Sequence, residues 1–255
     1  MSTQQRVIVT GGGDSVGRVV AEMLLRQGAL VHICDVRREA LEDTIGANPG
    51  MHGTVANVGR PAEVERLFAE AKAWMGGLTG LVNNVGITGP TAALEDIDYA
   101  AWDETIGVNL SGMFYTIKQA IPLMKQQGFG SIVNISTSST RTRLPHRAPY
   151  VVSKFGVEGL TLNAARELGP FNIRCNAILP GMINNKRMRG ILEARAQATN
   201  RSVAHIEQEY TQYISMRTKI EPEEIATVIM FLLSDQARHV TGELISVSGN
   251  VEWEI

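Results

Sequence analysis

The stretch Val7-Ile8-Val9-Thr10-Gly11-Gly12-Gly13-Asp14-Ser15-Val16-Gly17 decides how the rest of the chain is organised. A short run of Val and Ile has the composition of a parallel strand covered on both faces. The glycines end it in a tight turn that opens a helix over about residues 15–28. Such a turn lets backbone N–H groups and a helix N-terminus come close to a phosphate. The lysine of a P-loop is missing, which argues against a nucleoside triphosphate site.

Outward from that unit the same pattern recurs. Leu30–Cys34, Gly53–Val58, Leu81–Asn83, Ser131–Ile135, Arg174–Leu179 and Leu244–Val247 are short apolar strand candidates. Helix-length segments at about 37–46, 61–75, 100–126, 150–168 and 221–234 alternate with them. This alternation predicts an α/β fold, a doubly wound parallel sheet with helices on both faces, in a single domain 1–255. The second strand ends at Asp35, whose carboxylate can accept hydrogen bonds from both hydroxyls of an adenosine ribose and repels a 2′-phosphate. Asp14 adds negative charge on the same side and favours NAD over NADP. Arg37 and Arg38 oppose this, unless they are merely the solvated start of a helix.

Composition limits the function classes. The 255 residues are 44% apolar and 20% charged, which excludes a disordered chain, and no run approaches the ~20 apolar residues that span a bilayer. The formal net charge of −2 lacks the basic field of a nucleic-acid binder. Cys34 and Cys175 lie in strand-like runs and predict buried thiols in a reducing compartment. The N-terminal residues carry no apolar signal core, so a cytoplasmic location is expected. His32, His52, His205 and His239 lack metal-ligand spacing, and no metal site is expected.

Two helices carry more than packing information. In 100–126, Asn109 lies on the apolar stripe of Ile106, Leu110, Met113 and Ile117, where a polar group must find partners or cost about 1–3 kcal/mol. In 150–168 the apolar residues run most of the way round, the pattern of a helix that also meets another subunit. That helix begins Tyr150-Val151-Val152-Ser153-Lys154, placing a phenol and an ammonium one turn apart on one face. A neighbouring cation favours phenolate, and such a phenol can exchange a proton with an alcohol as hydride leaves.

Taken in order, Thr10-Gly11 to Gly17, Asp35, Asn57-Val58, Asn83-Asn84-Val85-Gly86, Asn109, Ser136–Ser139, Tyr150 to Lys154 and Pro180-Gly181 resemble the short-chain dehydrogenases/reductases over nearly the whole chain. The resemblance implies a Rossmann-like sheet of seven strands with NAD(P) across its C-terminal edge. It implies Tyr150 as general acid/base, Lys154 as the holder of the nicotinamide ribose, and Asn109 as the residue that positions a water. Cofactor contacts would come from Gly11, Asp14, Ser15, Val16, Gly17, Asp35, Asn57, Val58, Asn83, Val85, Gly86, Tyr150, Lys154, Pro180, Gly181, Ile183 and Asn185. Asn83 would also stabilise its strand, and the backbone after Pro180-Gly181 would meet the carboxamide.

Several positions depart from the family's pattern. Ser15 replaces the second glycine of the turn, Val85 replaces an alanine, Asn57 an aspartate and Asn185 a threonine. The hydroxyl that polarises the substrate oxygen is Thr137, by the usual spacing of thirteen, or Ser138, if a local bulge presents it.

Around the substrate, Arg141, Arg143 and Arg147, then Lys186, Arg187 and Arg189, suggest an anionic substrate group, unless they pair with acids such as Glu193, Glu207 and Glu209. Residues 184–216 predict a helical substrate lid or a subunit contact. The tail from Gly249 to Ile255 predicts packing on a neighbouring subunit. Together these features point to an NAD-dependent oxidoreductase of a secondary alcohol and its ketone, of a sugar or hydroxy-acid, with a small-molecule substrate and no nucleic-acid or membrane partner. The expected assembly is a homo-oligomer, a dimer or homotetramer, formed through helices 100–126 and 150–168. Two other readings are a catalytically weak dinucleotide-binding regulator or structural subunit, and an NADPH-dependent 3-oxoacyl thioester reductase.

Overall fold

The computed structural model describes residues 4–251. Within it the strands are β1 (Arg6–Thr10), β2 (Leu30–Asp35), β3 (His52–Val55), β4 (Gly80–Asn83), β5 (Gly130–Ile135), β6 (Ile173–Pro180) and β7 (Leu244–Val247). They form one seven-stranded sheet in the order β3-β2-β1-β4-β5-β6-β7, every neighbouring pair parallel. The chain runs outward from β1 to β3, returns, and continues from β4 to β7 on the other side. The reversal lies between β1 and β4, and in open parallel sheets the crevice at such a point, beyond the strands' C-terminal ends, is where ligands bind.

Strand residues point alternately to two faces, and both are covered. Val7, Val9, Val31 and Ile33 pack with residues of α1 (Ser15–Arg26), α2 (Arg38–Ala47) and a C-terminal helix, Pro222–Leu233. Ile8, Leu81, Ile132 and Cys175 pack on the opposite side with α3 (Pro61–Met75) and the helices that follow β4 and β5. Cys34 and Cys175 are both buried and free, and burial pushes each thiol up to about 12. Among the described residues no helix is long and apolar enough to cross a membrane.

Three segments differ from the sequence expectation. The third strand stops at Val55 rather than Val58, because Asn57 Oδ1 accepts the N–H of Gly59 and turns the chain out of the sheet. The helix expected over 100–126 is interrupted: α4 (Tyr99–Ile106) passes through a wider π-helical turn at Gly107–Ser111 into α5 (Gly112–Gln127). The π turn holds Asn109, whose buried amide is drawn to the backbone of Ile87. After β5 a short helix, α6 (Ser139–Thr142), precedes α7 (Ala148–Leu168).

The 184–216 excursion contains two helices, α8 (Lys186–Thr199) and α9 (Val203–Thr211), and α10 (Pro222–Leu233) follows it. Leu192, Ala196, Ile206 and Ile214 join Met182 in a small core of their own, with Tyr210 and Val251 against it. Of the tail, Val251 therefore packs within the chain, and residues 252–255 lie outside those described.

Candidate active site

The glycine-rich turn is a cradle that tolerates little bulk. A Cβ at Gly17 would lie 2.1 Å from the carbonyl oxygen of Gly11, so the turn closes on its helix only without a side chain there. Gly11 and Ser15 both have left-handed backbone, with φ of 64° and 48°; for Ser15 that conformation is strained. Asp14 caps α1 by accepting the N–H of Ser15 at 2.8 Å. The Val16 side chain is buried in the core, which leaves its backbone as the part that can face a ligand. Asn84 had no role in the sequence reading, yet it ties this turn to β4: its amide donates to the carbonyls of Thr10 and Gly11. Its position inside the Asn83-Asn84-Val85-Gly86 run was the available signal.

At the end of β2, Asp35 is buried, with acceptor capacity left on Oδ2. Its Oδ2 accepts from Gly13 N at 3.2 Å, and its Oδ1 accepts from Arg37 N at 2.9 Å and Arg37 Nε at 3.4 Å. Arg37 also lies 3.6 Å from Asp14, while Arg38 pairs with Glu42. The Arg37 guanidinium, more than half exposed, lies between the two carboxylates.

Other proposed cofactor contacts are committed within the protein. Asn57 Oδ1, expected to accept from adenine, is held by Gly59 N. Val58 is packed where a Cβ on Gly112 would touch it. Asn83 joins β4 to its surroundings through Asn134 at 2.9 Å and Thr116 at 2.7 Å, so its side chain steadies the sheet rather than facing a nucleotide. Val85 lies against the Gly11 turn. Gly181 N donates to Val247 O, which ties this stretch to β7. Pro180 O accepts from Ser138 N, and the bridge from Ile183 to Ile220 orders the next residues. Asn185 caps α8 at Met188 N and donates to Ser15 Oγ.

The catalytic candidates meet where β4 and β5 end. Tyr150 and Lys154 lie on the first turns of α7, Tyr150 half-buried and Lys154 buried. Lys154 Nζ donates to Ile135 O at 2.6 Å, and a Cβ on Gly86 would come within 3.2 Å of that nitrogen and 3.5 Å of Asn109 Oδ1. Burial, with Arg187 as a second cause, holds the Lys154 ammonium down to about 7. Asn109 accepts from Ile87 N at 2.8 Å and donates to Ile87 O at 2.9 Å and Ser153 Oγ at 3.0 Å. Both N–H donors of its amide are used, so a water at this residue could meet only an acceptor, the side-chain oxygen or the backbone carbonyl.

The residues after β5 are not a bulged strand. Ser138 has helical backbone and begins α6, so Thr137 and Ser138 are not related by strand alternation. Thr137 Oγ1 accepts from Ser139 N and contacts Ser139 Oγ, both at 3.2 Å, whereas Ser136 Oγ is turned inward to Glu158.

The residues present suit a dinucleotide: the turn after β1 that admits no Cβ at Gly17, Asp35 at the end of β2 and Gly86 after β4 all stand at the C-terminal ends of strands flanking the reversal. The comparisons agree. The sequence model of a family described as enoyl-(acyl carrier protein) reductase matches residues 11–251. Levodione reductase of Leifsonia aquatica is 32% identical over 253 residues, covering 97% of this chain and 94% of that protein. An NAD+-bound xylitol dehydrogenase superposes with a TM-score of 0.91 at 27% identity, covering 96% and 98% of the two chains. An actinorhodin polyketide ketoreductase carrying a Phe-to-Trp change and holding NADPH gives 0.92 at 28% identity, covering 98% of each. The matched family, the relative and the crevice at the topological reversal converge: this chain belongs to the short-chain dehydrogenases/reductases, NAD(P)-dependent oxidoreductases acting on CH–OH groups.

Proposed function

We propose that the chain interconverts a secondary alcohol and its ketone with NAD, with Tyr150 as the general acid/base. What supports this reading is that Lys154 Nζ lies beside Gly86 and Asn109, with Tyr150 one turn earlier on the same helix, α7. Bound nicotinamide would take hydride from the substrate carbon or return it. In the oxidation Tyr150 takes the alcohol proton at its phenolic oxygen, and in the reduction it gives that proton back. Lys154, anchored on Ile135 O, holds the ribose and carries positive charge beside the phenol. The Asn109 backbone, in the π turn, meets the water that links this site to solvent. Thr137 polarises the substrate oxygen: it stands thirteen residues before Tyr150, and its oxygen is held in place by Ser139 N.

NAD is favoured over NADP because Arg37 is tied between Asp14 and Asp35. The helices α8 and α9 act as the substrate lid, since Asn185 and Arg187 reach back to the site from α8. Phe114 on α5, with Val152, Phe155 and Leu162 on α7, is exposed; these apolar faces are the surface for a dimer or homotetramer. The buried thiols suit a cytoplasmic enzyme. Tyr150→Phe tests the assignment: turnover of secondary alcohols, followed by NADH absorbance, should be lost while NADH still binds. Retained turnover removes Tyr150 from the chemistry.

A further inference from the structure

Two guanidinium groups, one beside the Tyr150 ring and one on Gly86 near Lys154, take no part in that chemistry. Arg147 precedes α7, and its Cζ lies 5.2 Å from the centroid of the Tyr150 ring. One terminal nitrogen of Arg147 donates to Thr88 O at 2.9 Å, and its Nε is buried with no partner among the described residues. Arg187, in the first turn of α8, donates to Gly86 O at 2.9 Å. The loop 86–88 therefore anchors both forks. Burial, with the Arg187 charge as a lesser cause, holds Arg147 below its usual value against the opposing influence of Tyr150 and of Tyr210 on α9.

What is missing is an acid. Arg141, from the same basic stretch, has Glu158 at 3.7 Å, and two acids of the lid pair elsewhere, Glu207 with Lys219 and Glu209 with Arg201 and His205. Among the described residues neither Arg147 nor Arg187 has a carboxylate within ion-pair distance. Two cations that repel each other in a partly desolvated place, with one buried donor unused, form a receptor for negative charge. Of the six basic side chains in the two stretches, these two are anchored on the 86–88 loop, and Arg147 lies against the Tyr150 ring.

We infer that Arg147 and Arg187 bind an anionic group of the substrate, a carboxylate, sulfonate or phosphate, beside the carbon whose hydroxyl reacts at Tyr150. The inference rests on the oxidoreductase reading and adds the charge class of the substrate to it. Arg187 closes the pair only when α8 is docked, so the anion also draws the lid onto the site.

Calorimetric titration tests this, on the protein with and without saturating NADH. The probes are carboxylates and sulfonates of two to six carbons, each beside its uncharged amide, and inorganic phosphate. At least one anion should bind tenfold or more tighter than its neutral counterpart or, for phosphate, tenfold or more tighter than chloride. Arg187→Gln, a change at an exposed side chain, should remove that difference and move the binding of the neutral compounds less than twofold. Arg147→Gln should do the same, and Arg147→Lys should restore part of it. Equal binding of anion and neutral partner in the wild type would overturn the inference, as would an Arg187→Gln loss shared equally by both. Turnover of neutral secondary alcohols on the same preparations reports separately on Tyr150: turnover without anion preference sinks only the anion site, and anion preference without Tyr150-dependent turnover sinks only the redox reading.

Discussion

The side-chain amide of Asn185 donates to the hydroxyl of Ser15 at 3.1 Å, joining the first residue of the lid to the glycine-rich turn across 170 positions of sequence. Both residues depart from the family's pattern, and they depart together. A glycine at 15 would offer no hydroxyl, so the contact exists only because a side chain stands where the left-handed backbone resists one. Asn185 Oδ1 meanwhile accepts the N–H of Met188, so one amide caps α8 and fastens it.

Asn185→Ala should therefore loosen the lid as well as uncap it. A lost N-cap costs about 1 kcal/mol. Limited proteolysis is expected to cut within residues 186–211 faster, with global melting little changed. Ser15→Gly should give the same proteolytic signature with stability within about 1 kcal/mol of wild type, because relief of left-handed strain is offset by a more flexible unfolded chain. A Ser15→Gly protein whose lid is cut no faster than wild type would show that the contact does not hold it.

The Arg37 guanidinium lies between Asp35 and Asp14, and the proposed preference for NAD rests on that arrangement. Asp35→Ser should remove the ribose acceptor and release Arg37 toward a 2′-phosphate. Fluorescence titration is expected to show the NADPH-to-NADH affinity ratio rising about tenfold or more, the order of a lost charge-assisted hydrogen bond. Adding Arg37→Ala should cancel the gain for NADPH. If the ratio stays put in Asp35→Ser, specificity is set elsewhere.

Gly86 lies against the Lys154 ammonium and the Asn109 amide. Gly86→Ala should shift that nitrogen by a few tenths of an ångström and reduce kcat about tenfold, since small misplacements near a reacting group are expensive in rate. Its melting temperature should fall by no more than about 4 °C. Unchanged kcat would mean that the position of Lys154 is not critical.

His32 provides a pH signature of the fold. Its Nε2 pairs with Thr54 Oγ1 at 2.9 Å, Thr54 donates onward to Glu70, and Nδ1 has no partner among the described residues. Burial lowers this imidazole to about 4, with Glu70 opposing. In the unfolded chain it titrates near 6.5, so between those values the unfolded state binds a proton that the folded state refuses. Stability is then full above about pH 6.5 and falls as pH drops toward 4, by up to about 3 kcal/mol. Denaturant titrations of His32→Gln should show a shallower acid loss than wild type over that window; identical slopes would assign the loss to other groups.

Much of this molecule is written in local pattern. The β1 run, the glycine turn and Asp35 announce a dinucleotide crevice because strand burial, tight turning and ribose recognition each impose residue types at short spacing. Tyr150 and Lys154 were legible for the same reason, being one turn apart on a helix. Less legible was the π turn at Gly107–Ser111: the apolar stripe showed that Asn109 needed partners, yet Ile87 and Ser153 are distant in sequence. Nor did alternation describe Thr137 and Ser138, since the strand ends at Ile135 and Ser138 already caps the next helix with helical backbone.

Residue order alone established the alternating α/β architecture, the nucleotide turn and the phenol–ammonium pair, since each depends on neighbours within a turn or a strand. Folding settled which groups meet across the chain. It spent Asn57, Asn83 and Arg37 on internal bonds, joined Asn185 to Ser15, and anchored Arg147 and Arg187 on one loop with no acid among the described residues in ion-pair reach. The reason is that a side chain's chemistry belongs to its own position, whereas its partners depend on how the sheet and helices bring remote segments within hydrogen-bond reach.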